Sequence, residues 1–290
     1  MNILVTGSNG QLGSEIKDIA ANYKDFCFFF RDLPVLDICN SKQLARFFTE
    51  NSIDTVINCA AYTNVDKAEE DTEIAEKVNA TGVLNLVNAV EKVQGKLIHI
   101  STDYVFDGSN FLPYQESDEV NPIGVYGNTK RSGELTVINS DIDGIVIRTS
   151  WLYSAYGNNF VKTMLRFGNE RDEMDVIFDQ VGTPTSASDL AKTCLDILAY
   201  KKDAKINSKG NIYHFSNEGV ASWYDFAVAI MEFGKVDCQV KPIQTKDYPT
   251  LAKRPPFSVL NKTKIKTDFQ IEIPYWRDAL AVCIQKLKST

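Results

Sequence analysis

Tyr126 and Lys130 stand four residues apart in the segment NPIGVYGNTKRSGE, downstream of KLIHISTDYVFDG. If the segment is helical, the two side chains leave one face about one turn apart. A phenol with an ordinary pKa near 10 is a poor acid or base at neutral pH, and moving it by about three units takes roughly 4 kcal/mol of differential stabilisation. An ammonium held beside the phenol supplies part of that by favouring the phenolate. Upstream, the β-branched and apolar run Leu97, Ile98, Ile100 predicts a buried strand, and it breaks into hydroxyls and a carboxylate at Ser101, Thr102 and Asp103. Polar groups therefore gather where that strand should end. A Tyr-x-x-x-Lys pair alone is common on helix surfaces, so its meaning depends on the elements around it.

Those elements begin at residue 2. NILVTGSNGQLG is a buried strand followed by Gly7, Gly10 and Gly13, and SEIKDIAANY continues as an amphipathic helix. Glycines between strand and helix allow a tight turn and close approach to a pyrophosphate, whose charge then faces the helix N-terminus. Gly7, Asn9, Gly10, Gln11 and Leu12 are thus expected along a dinucleotide. The next strand, FCFFF, ends in Arg31-Asp32. An arginine there suits a ribose 2′-phosphate and an acid suits the 2′-hydroxyl. With Arg31 first, the expectation is NADPH, with NADH tolerated. Asp37-Ile38 forms a short step before a helix opened by Ser41, and a third strand, DTVINC, ends in the small residues Ala60-Ala61, which let a cofactor pass close to the backbone. TEIAEKVNATGVLNLVNAV predicts one long amphipathic helix that includes Asn79. Alternating apolar strands and helices predict a parallel sheet covered on both faces, with ligands at the carboxyl ends of its strands. Tyr126 and Lys130 then have a cofactor to face.

Composition limits the alternatives. The 290 residues hold 31 basic and 38 acidic side chains, a net charge of −7, with no basic block, so no nucleic-acid or anionic membrane partner is expected. The six cysteines have no CxxC spacing and there are only two histidines, so neither a zinc site nor a disulfide framework is expected, and the thiols read as reduced in a cytoplasmic protein. Met1 is followed at once by strand-like residues, so no signal peptide is expected. Past a strand at DGIVIRTSWLY the pattern loosens into helices, a Gly182-Thr183-Pro184-Thr185 turn, and a strand at GNIYHFSNEG that returns to the sheet. The expected architecture is α/β: a Rossmann-like doubly wound parallel sheet over residues 1–150 with returning segments at about 186–216. A smaller interleaved α/β substrate-binding lobe takes about 151–185 and 217–290. Trp151, Asn158, Asn159, Arg254 and the residues near Pro255 lie in its non-strand stretches, where ligand contacts concentrate.

The whole chain resembles the extended short-chain dehydrogenase/reductase superfamily and, within it, the dTDP-4-dehydrorhamnose reductases. The match is carried by TGSNGQLG, NCAAYTNVDKAE, STDYVFDG, YGNTKRSGE, RTSWLY, GNNFVKTML, DQVGTPT and YPTLAKRPPFSVLN. The resemblance implies reduction of the C4 ketone of dTDP-4-dehydro-6-deoxy-L-mannose, giving dTDP-L-rhamnose for cell-surface polysaccharide. It implies that Tyr126 protonates the C4 alkoxide, Lys130 binds the nicotinamide ribose, and Thr102 hydrogen-bonds the carbonyl oxygen. Asp37, Ile38, Ala60, Ala61, Tyr62, Asn79, Ser101 and Tyr126 would join the cofactor contacts. Thr63, Asp103, Tyr104, Val105, Trp151 and Asn159 would surround the sugar, and Arg254 would meet the diphosphate. Related dehydratases carry an Asp-Glu pair after the threonine; Asp103-Tyr104 here argues against dehydration. Some members bind magnesium between two subunits through glutamates; Glu15 matches one position but Ser188 stands at another, which argues against that metal and leaves monomer and homodimer both open. Two other readings stay open: a reductase of a different nucleotide-linked 4-keto sugar, and a non-catalytic subunit like the regulatory β-subunit of methionine adenosyltransferase.

Overall fold

Strand residues that are apolar on both faces need cover on both faces, and the arrangement of the core follows from this. The computed structural model describes residues 1–203 and 210–289. Six strands form one sheet in the order Asn211–His214, Asp143–Thr149, Lys96–Thr102, Thr55–Asn58, Asn2–Thr6, Cys27–Arg31, every neighbouring pair parallel. Along the first strand the side chains alternate. Ile3 and Val5 pack with Leu190, Leu195 and Leu198, whereas Leu4 packs on the other face with Leu44, Phe48, Leu86 and Val90. Strand order reverses at Asn2–Thr6, with the second strand on one side and the third on the other. A crevice opens at such a switch point, outside the carboxyl ends.

Helix Gln11–Ile19 packs against helix Ala187–Asp203, and the strand Asn211–His214 pairs along Asp143–Thr149. Positions 204–209 of the expected returning segment lie outside the described residues. A separate apolar cluster, with Val161, Met164, Val176, Phe226, Ile230, Trp276, Leu280 and Ile284, is built from helices Phe160–Glu170, Trp223–Gly234 and Trp276–Ser289. Beside it lie three two-stranded ladders, among them Leu152–Tyr153 with Thr185–Ser186 and Val181–Gly182 with Ala221–Ser222. The stretch expected as a plain turn at 182–185 thus takes part in two of these ladders.

The helix expected to open at Ser41 does so, as Ser41–Asn51, with the Asn40 side chain capping it by accepting from the Gln43 N–H at 3.1 Å. One local expectation is corrected. The long helix around Asn79 is interrupted: Thr72–Glu76 is α-helical, Lys77–Thr81 is a wider π-helical turn, and Gly82–Lys92 is α-helical again. Helix Val125–Ile138 starts at Gly124, which offers no side-chain cap, and the Glu69 carboxylate accepts from the Val125 N–H at 2.9 Å instead. No helix among the described residues is long and apolar enough to cross a membrane.

Candidate active site

A cleft of about 800 Å³ lies at the carboxyl ends of the strands, a size typical of small-molecule sites. Its first wall is the glycine turn. Gly7 has φ +59°, and a Cβ there would sit 2.7 Å from the Ala60 nitrogen, so the turns after the first and third strands touch backbone to backbone. The Gly10 N–H closes the turn on the Gly7 carbonyl at 3.0 Å. Gly10, Gln11 and Leu12 then present the first turn of helix Gln11–Ile19 to the cleft, an anion-binding arrangement. Asp32 lines the same end; its Oδ2 accepts from the Asn9 N–H at 2.9 Å and its Oδ1 from the Leu33 N–H at 2.8 Å. Leu33, Leu36, Ile38, Ile74 and Val78 add an apolar slot suited to a flat heterocycle, with Asp37, Ala60, Ala61 and Tyr62 beside it.

The strand Lys96–Thr102 delivers Ser101 and Thr102 to the middle of the cleft, and helix Val125–Ile138 delivers Tyr126 and Lys130. Burial pushes the Tyr126 phenol up to about 12, and the nearby Thr102 hydroxyl acts in the opposite direction. The group that tempers the phenol is therefore Thr102, where the spacing pointed to Lys130. Lys130 is buried and its Nζ donates to the Ile100 carbonyl at 2.7 Å. Burial lowers its pKa to about 8, against the opposing pull of Glu134 one helical turn on. Asp103 is also buried; its Oδ1 accepts from the Thr102 hydroxyl at 3.0 Å, while its Oδ2 meets no partner in hydrogen-bond geometry. Burial raises this carboxyl to about 6, although nearby Ser258 and Thr102 draw it down. The Thr149 hydroxyl, on the neighbouring strand end, is likewise buried and unpartnered beside the cleft. Buried polar atoms left open in this way suit a polar ligand.

Beneath these groups lies a fully buried ion pair. Arg148 Nε and Nη2 donate to the two Glu134 oxygens at 2.8 and 2.9 Å, and Arg131 adds a bond of 2.9 Å. Burial pushes the Glu134 carboxyl up, but Arg148 outweighs it and the group ends below the usual carboxylate range. Asn58 joins three strands: its Oδ1 accepts from Thr6 at 2.7 Å and from the Ala60 N–H at 3.2 Å, and its Nδ2 lies 3.0 Å from His99 Nδ1. With the amide nitrogen donating, His99 Nδ1 is the acceptor and the ring proton sits on Nε2.

At the other end Thr63, Asp103, Tyr104, Trp151, Asn158 and Asn159 line the cleft. Tyr104 meets Tyr126 edge to face, with ring centroids 5.5 Å apart. Asn159 caps helix Phe160–Glu170 and donates through Nδ2 to Gln11 Oε1 at 3.0 Å, joining the two ends of the cleft.

Several expected contacts fall elsewhere. Arg31 is turned away from the cleft, donating to the Phe30 carbonyl at 2.8 Å and lying over the Phe47 ring at 5.1 Å, and Asp32 takes the cleft position instead. Asn9 has an exposed side chain and contributes its N–H to Asp32. Asn79 is an organiser and not a wall: it accepts from the Tyr62 N–H at 2.9 Å and donates to the Tyr62 carbonyl and the Thr129 hydroxyl at 3.1 and 3.0 Å. Val105 is fully buried with Phe106, Tyr114 and Leu260, away from the cleft. Arg254 is directed at Asp66, with bonds of 2.6 and 3.2 Å. Glu15 is engaged by the Ser154 hydroxyl at 2.6 Å and by the Lys286 ammonium at 2.7 Å, a cation already supplied by the chain where the resemblance had placed a metal. Asn58 was missed, although a lone polar residue closing an apolar strand signals it; nothing in the local sequence signals the apolar slot.

With this geometry in view, the chain can be set beside known proteins. It is 40% identical to a dTDP-4-dehydrorhamnose reductase from Aggregatibacter actinomycetemcomitans over 286 residues, 96% of each chain. A crystal structure of a dTDP-4-dehydrorhamnose reductase from Clostridium acetobutylicum superposes with TM-score 0.92 at 42% identity, covering 99% of this chain and 100% of that one. Another, from Bacillus anthracis in complex with NADP, gives TM-score 0.92 at 35% identity over 98% and 99% of the two chains. The family model described as RmlD substrate binding domain matches residues 1–289, and this chain belongs to that family.

Proposed function

We propose that the protein is an NAD(P)H-dependent reductase that converts dTDP-4-dehydro-6-deoxy-L-mannose to dTDP-L-rhamnose. The observation that carries this reading is that Tyr126, Thr102 and Lys130 line one cleft with the glycine turn. The names of the relatives point to the sugar. When bound, the reduced nicotinamide supplies a hydride. Gly7, Gly10, Gln11 and Leu12 would hold its pyrophosphate, Asp32 and the apolar slot its adenosine end, and Lys130 its second ribose. Asp32 in the cleft suits an unphosphorylated 2′-hydroxyl, so NADH is accepted alongside NADPH.

Burial keeps Tyr126 protonated at neutral pH, so the phenol is in the state needed to donate to a developing C4 alkoxide. The Thr102 hydroxyl lines the same cleft and is the second group available to the reacting oxygen. Lys130 keeps a positive charge near neutrality, available to the hydroxyls of the nicotinamide ribose. Thr63, Asp103, Tyr104, Trp151 and Asn159 surround the sugar. We assign the cofactor to residues 1–150 with about 186–216, and the sugar nucleotide to about 151–185 and 217–290. We place the reaction in the cytoplasm, in keeping with six free thiols.

The test is consumption of NADPH with the dTDP-4-keto sugar, wild type against Tyr126→Phe. Turnover lowered by about 10² to 10⁴-fold in the variant, with NADPH binding retained, is the expected result. A wild type that binds NADPH but leaves this sugar unreduced overturns the substrate assignment.

A further inference from the structure

Trp151 is held in an unusual way. It has φ +47°, a conformation that bulky residues seldom adopt and that surrounding structure must enforce. The Thr185 N–H donates to the Trp151 carbonyl at 3.1 Å, and the preceding residue is anchored by its side chain, the Ser150 hydroxyl donating to the Thr183 carbonyl at 2.9 Å. Its indole lines the cleft on one side and stacks on Trp223 on the other, with centroids 3.6 Å apart and ring planes 9° from parallel. One edge rests on Gly182, where a Cβ would fall 2.7 Å from Trp151 Cε2. Trp223 does not line the cleft. It opens helix Trp223–Gly234, fixed by a capping box in which Ser222 accepts from the Asp225 N–H at 3.0 Å and Asp225 accepts from the Ser222 N–H at 2.9 Å. Its ring also meets Phe160, with centroids 4.7 Å apart, in the residue next to the cap Asn159 that binds Gln11. The ring that backs Trp151 is therefore seated on two capped helix starts, one of them tied to the cofactor turn.

We propose that Trp223 is a positioning residue for the sugar end of the cleft: it holds Trp151 in its left-handed conformation and so sets the affinity for the nucleotide sugar without touching it. This rests on the reductase reading above only for the identity of the ligand. A capped helix start gives Trp223 little freedom, so the stack acts as a fixed backstop. Losing one aromatic pair of this kind corresponds to about a two- to tenfold effect.

The experiment compares Trp223→Ala and Trp223→Phe with the wild type. Turnover by the wild type tests the reductase reading separately. For Trp223→Ala the expected result is a KM for the dTDP-4-keto sugar raised about two- to tenfold, with kcat and the NADPH dissociation constant near wild type, and recovery in Trp223→Phe. A substrate-free measurement reads the same claim: acrylamide quenching of tryptophan emission should increase in Trp223→Ala, because Trp151 loses its backing, while Trp276 stays buried. A wild-type KM in Trp223→Ala, or unchanged quenching, overturns the proposal, as does a KM effect that Trp223→Phe fails to reverse.

Discussion

Asp103 shows how one residue can trade stability for a site. Its carboxyl moves from an ordinary 3.8 to about 6 because burial disfavours the ion. Folding therefore takes up a proton between those values. The stability given by the neutral form is complete below about 3.8, is lost as pH rises through about 6, and above that the buried ion costs about 3 kcal/mol. Asp103→Asn should remove that pH dependence and raise stability at pH 7 by up to about 3 kcal/mol while reducing turnover; urea unfolding at several pH values checks it. Gly7→Ala should abolish NADPH binding, measured by titration, because a Cβ cannot fit against Ala60 at 2.7 Å. That Gly7 and Tyr126 line the cleft was legible from residue types and spacing, whereas Thr102 was legible only as a polar residue closing an apolar strand. The Arg31 and Asp32 choice was not, because the strand ends at Arg31 and the sequence does not state which of the two residues at that end faces the cleft. Val105 was misplaced for a similar reason: in the short helical turn Asp103–Val105 it faces inward.

At the scale of elements, the helix that carries Tyr126 and Lys130 is tied to the sheet by the Glu134 and Arg148 pair, which links Val125–Ile138 to Asp143–Thr149. Removing one partner of a fully buried pair leaves an uncompensated charge. Arg148→Met should destabilise the fold by about 3–5 kcal/mol, whereas Arg148→Met with Glu134→Met should restore much of the loss; thermal unfolding of both variants decides. Strand and helix alternation was legible from periodicity. The π-helical turn Lys77–Thr81 was not, because one widened turn leaves the apolar spacing on each side intact and only tertiary bonds reveal it. Its effect is visible at Asn79, which reaches both Tyr62 and Thr129. The distant cap from Glu69 to Val125 was illegible for a related reason: 56 residues separate the partners.

For the whole molecule, the last helix closes on the first. Lys286 of Trp276–Ser289 binds Glu15 and Asp18 of Gln11–Ile19 at 2.7 Å each. Lys286→Ala leaves the buried Glu15 carboxylate with less compensation and should lower stability by about 1–3 kcal/mol, read from the urea midpoint, with recovery when Glu15→Gln is added. The sheet has a similar long return. Its edge strand, Asn211–His214, pairs with Asp143–Thr149 only after the chain has left to build the Phe160–Glu170 helix and its neighbours. On a ribosome that order matters. Until residue 214 has emerged, a nascent chain holds five strands with the Asp143–Thr149 strand, buried in the finished sheet, left as an edge, a template for pairing with another copy. Synthesis that pauses within this interval is therefore the moment at which this protein is most exposed to aggregation.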